Sequence, residues 1–263
     1  MKIGFIGCGN MGGALIRGIV SHKILPAENI IAADLNEKAL KKVQDDTHIC
    51  VTTSNLMVVA QAEIIVLSVK PQFYETVIKE IRDSVKESQC ILTIAPKTIA
   101  SVEELFTRPV KVVRAMPNTP ALVGEGITGV TCNDLVSEEQ MEEICHILSG
   151  CGKVERVTEH LMDVVVAVSG SSPAYVFLFI EAMADAAVLD GMPRAQAYQF
   201  AAQAVLGSAK MVLETGKHPG ELKDMVCSPG GTTIAAVKVL EEQGLRGAVM
   251  DAMHACVEKA RSL

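Results

Sequence analysis

The first 157 residues alternate short β-branched runs with amphipathic stretches, and few folds can absorb that rhythm. Ile3–Ile6, Ile30–Ala33, Ile64–Leu67, Ile91–Ile94 and Val110–Val113 are almost wholly apolar and are bounded by Gly, Asn, Pro or Ser. Runs without polar alternation mark parallel strands covered on both faces. The spacing between them predicts helices over Met11–Val20, Glu37–Gln44 and Gln72–Val85. Repeated βα units with right-handed crossovers give an α/β fold, a doubly wound parallel sheet of Rossmann type. A strand at Ile127–Thr131, a helix over Glu138–Leu148 and a short strand Val154–Val157 are expected to complete it.

After about Glu159 the rhythm changes. Asp163–Leu189, Arg194–Glu214, Thr232–Glu242 and Leu245–Ala260 are Ala/Val/Met-rich with helical spacing. The breaks at Gly191-Met192-Pro193, His218-Pro219-Gly220 and Ser228-Pro229-Gly230-Gly231 are helix punctuation. The chain is therefore expected to hold a dinucleotide-binding domain over 1–158 and an all-helical C-terminal domain over 159–263. Composition narrows the class further. Hydrophobic residues make up 49% and aromatics only 3%, so the apolar surplus is aliphatic and suits packed helices with an interface to cover. A net charge of −7 without any Lys/Arg cluster excludes nucleic acid as an expected partner.

Eight cysteines include no C-x-x-C pair, which argues against a zinc site and for a reducing compartment. The longest strongly apolar run, Ala174–Ile180, stops at Glu181, too short for a bilayer span. The chain opens directly on a strand, leaving no room for a signal peptide. A cytoplasmic protein with no membrane partner is the expectation.

Gly7-Cys8-Gly9-Asn10-Met11-Gly12 fits G-x-G-x-x-G between a strand and a helix. In that setting Gly7 permits the tight turn, Gly9 lets backbone approach a pyrophosphate, and Gly12 allows close helix–strand packing. Asn10 and Met11 open the helix whose free N–H groups would face the anion. Without a ligand, the same string is an ordinary glycine-rich turn. Asp34 ends the second strand 22 residues after Gly12 and is either the ribose-binding acid or a helix N-cap. A ribose acid favours NADH, whereas Lys38, Lys41 and Lys42 could offset its charge. Val69-Lys70-Pro71 and Ala95-Pro96-Lys97 follow later strands and should flank the same crevice. Lys70 is a candidate proton donor or a phosphate or surface contact. At Ser228-Pro229-Gly230-Gly231-Thr232-Thr233, glycines and hydroxyls at a helix start form either a carboxylate-binding nest or a plain N-cap turn.

Three strings carry a family resemblance: Arg114-Ala115-Met116-Pro117-Asn118-Thr119-Pro120-Ala121, Ser169-Gly170-Ser171-Ser172-Pro173-Ala174-Tyr175, and Ser228 to Thr233. With the N-terminal glycine string, they resemble pyrroline-5-carboxylate reductases, in the family's order and over essentially the whole chain. The resemblance implies reduction of 1-pyrroline-5-carboxylate to L-proline with NADPH or NADH. It also implies a helical domain that intertwines with a partner's, giving homodimers that often assemble into decamers. It places Ser228, Gly231, Thr232, Thr233 and Glu159 on the substrate side, with Thr233 catalytic through its hydroxyl. It places Asn55 near the adenosine, and Val69, Lys70, Pro71, Ala95 and Asn118 around the cofactor. Ser172, Pro96-Lys97 and Asp34 depart from the family's usual residues, and Asp34 stands where NADP-preferring relatives tend to carry Ser or Arg.

Hydride transfer to a protonated cyclic imine asks mainly for placement. No Ser–His–Asp or Cys–His constellation is evident, and the six histidines are scattered. Two rivals stand beside this reading. A 2-hydroxyacid-type dehydrogenase would need a catalytic Lys on the first long helix of the second domain, and Asp163–Leu189 has none. A non-catalytic dinucleotide sensor would need no substrate loop.

Overall fold

In the computed structural model, which describes residues 1–262, the apolar runs become the strands of one eight-stranded sheet. In chain order the first unit holds β1 (Ile3–Ile6), α1 (Asn10–Ser21), β2 (Ile30–Ala33), α2 (Glu37–Thr47), β3 (Cys50–Thr52), α3 (Asn55–Gln61) and β4 (Ile64–Leu67). It continues with α4 (Tyr74–Ile81), β5 (Cys90–Thr93), α5 (Ile99–Phe106), β6 (Lys111–Met116), β7 (Gly126–Cys132), α6 (Glu138–Leu148) and β8 (Gly152–Arg156). Strand order is β3-β2-β1-β4-β5-β6-β7-β8. Every residue of β1, β2, β4 and β5 is buried, as two-sided cover requires.

The pleat divides the core into two layers. Ile3, Phe5, Ile64 and Val66 pack with Leu15 and Ile19 of α1 and with Ile144 of α6. Ile6, Ile65 and Leu67 pack on the other face with Val58 of α3, Ile78 of α4 and Val102 of α5. β1 pairs in parallel with both β2 and β4, Ile3 opposite Ile30 and Ile64. The strand order therefore reverses beside β1, and the crevice at the carboxyl ends of β1 and β4 is where such sheets take ligands.

Two features depart from the expected sheet. β6 and β7 are antiparallel, Arg114 opposite Thr131. Residues 117–125 between them are too few for a parallel crossover, and Gly124, at φ 77°, turns the chain back. β3, absent from the sequence reading, is a three-residue edge strand with no buried residue, so it needs no apolar run. The helices α3 and α5 were also absent from that reading. Each is short and is set by a hydroxyl cap, Ser54 Oγ to Met57 N at 3.3 Å and Thr98 Oγ1 to Ser101 N at 3.2 Å.

The remaining elements are α7 (Met162–Val165), a π-helical turn Val166–Ser171, α8 (Ser172–Leu189), α9 (Arg194–Thr215), α10 (Pro219–Val226), α11 (Thr232–Glu242) and α12 (Leu245–Arg261). The compact units are residues 1–171 with the last turns from Val257, and Ser172–Cys256. Residues 159–171 thus group with the sheet although the helical pattern begins with them. Met162 is fully buried there, and Asn118 of the β6–β7 connection donates to Ser169 O at 3.1 Å.

The second unit buries little by itself. Its buried hydrophobics are Ala184, Ala197 and Ala201, all small, where α8 meets α9. The apolar run that the sequence reading ended at Glu181 is longer in the structure. Glu159–Leu189 is a continuous helical stretch of 31 residues whose most apolar 18-residue window has mean hydropathy 1.6, long and apolar enough to cross a membrane by length and composition. Glu181 does not end the stretch, because a helix of this length tolerates one acidic residue.

Candidate functional site

The loop between β1 and α1 uses its glycines for three different physical reasons. Gly7 has φ 106°, and a Cβ there would lie 2.8 Å from the backbone of Ser68. A Cβ on Gly12 would come within 2.4 Å of Gly7 O. Gly9 is the opposite case: a Cβ would meet nothing within 4 Å, so the open side is free for a ligand. Gly9 is also the N-cap of α1 and supplies no side-chain acceptor. The amides of Asn10, Met11 and Gly12 therefore lack intrahelical acceptors, next to exposed Gly9 and Asn10. This is an anion-binding arrangement.

Asp34, just past β2, is held on both oxygens. Its Oδ2 accepts from Cys8 N at 2.6 Å, and its Oδ1 accepts from Asn36 N at 2.8 Å. The N-cap of α2 is Asn36, whose Oδ1 accepts from Lys38 N and Ala39 N. The capping alternative for Asp34 thus falls to its neighbour. Asp34 instead ties the glycine loop to the end of β2. Burial, then the Asp34 charge, pushes the Cys8 thiol up to about 12. Cys8 is no nucleophile at neutral pH.

Gly7, Asp34, Asn55 and Val69 line one cleft of about 470 Å³ at the carboxyl ends of β1, β2 and β4. Sequence spacing did not reveal its other walls, among them Thr53, Phe73, Thr76 and Glu80. Glu80 accepts from Asn55 Nδ2 at 2.8 Å, a pair 25 residues apart in sequence. Ser68 was missed as well. Its hydroxyl donates to Gly7 O at 2.7 Å and lies 3.1 Å from Ile6 O, fixing the end of β4 against the glycine loop. Tyr74, pushed up to about 12 by burial, donates its hydroxyl to Leu67 O at 2.7 Å and lies 2.9 Å from Thr93 Oγ1. It is a brace for β4 and β5, not a proton donor. Lys70 is exposed before the Pro71–Phe73 turn, and Ala95 is buried after β5.

Two further expected residues are engaged within the first unit. Asn118 donates to Ser169 O and accepts from Ile127 N at 2.9 Å. One lone pair and one N–H of its amide remain. Glu159 Oε1 accepts from Ile99 N at 2.7 Å and lies 3.4 Å from Arg114 Nη1. Arg114 is buried, also pairs with Asp163 at 3.5 Å, and leaves its Nε without a partner.

In the second unit, Ser228–Gly231 forms the turn before α11. Gly231 N donates to Ser228 O at 3.0 Å, and Gly230 has φ 68°. A Cβ on Gly231 would lie 2.3 Å from Ser228 Oγ and 3.1 Å from Ser228 O, so a side chain there would have to displace the Ser228 hydroxyl. Gly231 is the N-cap of α11 and brings no side-chain acceptor. The first amides of α11, from Thr232 and Thr233, are therefore open at a helix N-terminus. Thr232 is exposed and Thr233 half-buried. Among the described residues no cluster of His, Cys, Asp and Glu could hold a metal ion.

Residues 159–263 match the family model described as pyrroline-5-carboxylate reductase dimerisation. Residues 2–97 match one described as NADP oxidoreductase, coenzyme F420-dependent. The pyrroline-5-carboxylate reductase of Escherichia coli (strain K12) is 52% identical over 264 residues, covering 100% of this chain and 98% of the relative. A Plasmodium falciparum pyrroline carboxylate reductase solved with NADP bound aligns at TM-score 0.91 and 33% identity, covering 100% of this chain and 97% of the other. A pyrroline-5-carboxylate reductase from Coxiella burnetii aligns at TM-score 0.92 and 33% identity, over 99% and 97%.

Proposed function

The chain belongs to the pyrroline-5-carboxylate reductase family, and from that premise we propose how its residues carry the family's reaction. It is an NAD(P)H-dependent oxidoreductase that reduces the C=N bond of 1-pyrroline-5-carboxylate to give L-proline. The uncapped N-terminus of α11 is the observation that carries the substrate assignment. Gly231 packs closely on Ser228 and brings no acceptor, so the amides of Thr232 and Thr233 stay available for the substrate carboxylate. Ser228 shapes this turn, and the Thr233 hydroxyl holds the ring nitrogen. Glu159 acts on the substrate side through the loop it fastens at Ile99.

The residues of the glycine loop fit the dinucleotide. The amides of Asn10, Met11 and Gly12 receive the pyrophosphate, the open side of Gly9 admits it, and Asp34 and Asn55 take the adenosine ribose. Val69, Lys70, Pro71, Ala95 and Asn118 flank the nicotinamide half. Bound NAD(P)H supplies the hydride, and the protein's task is to orient a substrate that is already an electrophile when its nitrogen is protonated. No buried acid–base dyad is required for that.

We keep the domain boundary between 158 and 159; the match of residues 159–263 to a dimerisation family supports it, although residues 159–171 pack in the same compact unit as the sheet. A second copy of the chain covers the apolar faces of the helical unit, and the dimers assemble further into a decamer. Eight cysteines, none in a disulfide, suit the cytoplasm. The test is oxidation of NADH and NADPH followed at the nicotinamide absorbance, with and without 1-pyrroline-5-carboxylate. Oxidation that depends on the imine and yields proline is the expected result. Oxidation with a 2-hydroxyacid or 2-oxoacid pair alone, or none with any substrate, would overturn it.

A further inference from the structure

We infer that this chain is built to select NADH over NADPH, because the 2′ position of the adenosine ribose is bordered by two carboxylates and no cation. The inference rests on the dinucleotide reading of the glycine loop. Asp34 occupies the end of β2, where an acid in such folds binds the ribose hydroxyls. Its carboxylate cannot swing away without cost, because Cys8 N at 2.6 Å and Asn36 N at 2.8 Å hold one oxygen each. Glu80 lines the same cleft from α4 and is oriented by Asn55 Nδ2 at 2.8 Å. A 2′-phosphate brings a charge of about −1.5 to −2 at pH 7, as phosphate monoesters do. Beside the doubly held Asp34 and the exposed Glu80 it meets repulsion, and no Lys or Arg lines the cleft to neutralise it.

The sequence left one escape: Lys38, Lys41 and Lys42 follow Asp34 closely and could have supplied the missing cation. The structure turns them elsewhere. None of the residues lining the cleft is a Lys or Arg. The three lysines border a separate hollow on α2 together with Asp45 and Asp46. Lys41 is paired with Asp45 at 3.1 Å, and Asp46 also pairs with Arg17 at 3.5 Å. At the start of α2, the side chain after Asp34 is Leu35, which is 88% exposed and offers a phosphate no donor. Asn36, fixed by its Oδ1 as the cap of α2, brings no charge to offset a phosphate.

The experiment is a binding titration of the full-length protein with NADH and with NADPH, without substrate. The chain has no Trp, so the signal is nicotinamide fluorescence or calorimetric heat. Wild type is expected to bind NADH at least about tenfold more tightly, equivalent to ~1.4 kcal/mol. The gap should narrow as salt rises, since the repulsion is screened. Asp34→Ser should close or invert it. Asp34→Asn, which keeps size and one of the two acceptors, should narrow it, and its thermal melt beside the titration separates lost charge from any folding cost. Glu80→Gln, at an exposed position that retains the Asn55 contact, should narrow it by a smaller factor. Equal or tighter NADPH binding by wild type overturns the inference, as does a ratio unmoved in all three variants. Binding of neither cofactor would instead strike the dinucleotide site itself, a different result that affects both ligands alike.

Discussion

Thr233 is the second residue of α11 and half-buried, whereas the Thr232 before it is exposed. Both offer a backbone amide, but only the Thr233 side chain is sheltered enough to hold a fixed direction. Thr233→Ala removes the hydroxyl and leaves the amide in place. Turnover is therefore expected to fall about 10²-fold, the usual cost of one positioned donor, while NADH affinity stays at its wild-type value. Thr233→Ser should restore most of the rate, because the hydroxyl returns without the methyl. Steady-state kinetics beside cofactor titration reads both; unchanged turnover in the alanine variant would remove Thr233 from the reaction. The glycines show the same residue-scale logic in reverse. Gly7 and Gly12 are excluded to side chains by the protein's own backbone, while Gly9 is unhindered and is accounted for by what must approach from outside.

At the scale of elements, the glycine loop, the β2 acid and the helix starts were legible because each is written in contiguous residues. The partners that complete them were not. Ser68 reaches Gly7 across 61 residues, Glu80 reaches Asn55 across 25, and Arg114 reaches Glu159 across 45. Period and motif carry no information about such pairs. β3 and α3 escaped for another reason: three and seven residues are too short to show a period. The Arg114 cluster yields an asymmetric prediction. Arg114 is buried with only Glu159 and Asp163 to balance it, whereas those carboxylates are 38% and 29% exposed. Glu159→Ala leaves a buried guanidinium under-compensated and strips the acceptor from Ile99 N, so it should cost about 2–4 kcal/mol. Arg114→Met removes the buried charge and leaves two carboxylates that water can reach, so it should cost about 1 kcal/mol or less. Urea unfolding of the two variants checks the order, and equal losses would show that the ion pair is not what fastens residues 159–171 to the sheet.

For the whole molecule, the helical unit poses a problem that one copy cannot solve. Val176, Phe177, Leu178 and Phe179 are 40%, 60%, 66% and 44% exposed, and four successive helical positions point in four directions. No single face of α8 can cover them all, and each large side chain left in water forgoes roughly 1.5–3 kcal/mol. A bilayer could cover them by length and composition, but the match of residues 159–263 to a dimerisation family favours a second chain. An interface that stands in for a missing core makes folding and association one event, so the melting temperature should rise with protein concentration. Sedimentation velocity should show a dimer or a larger assembly and no monomer at working concentrations. Phe177→Asp with Leu178→Asp places two charges where the partner must pack. That variant should lose the assembly, its concentration-dependent melting and its imine-dependent activity together. Wild-type protein that runs as a stable, active monomer, or that pellets with lipid vesicles and not without them, would overturn the dimer and return those exposed side chains to another partner.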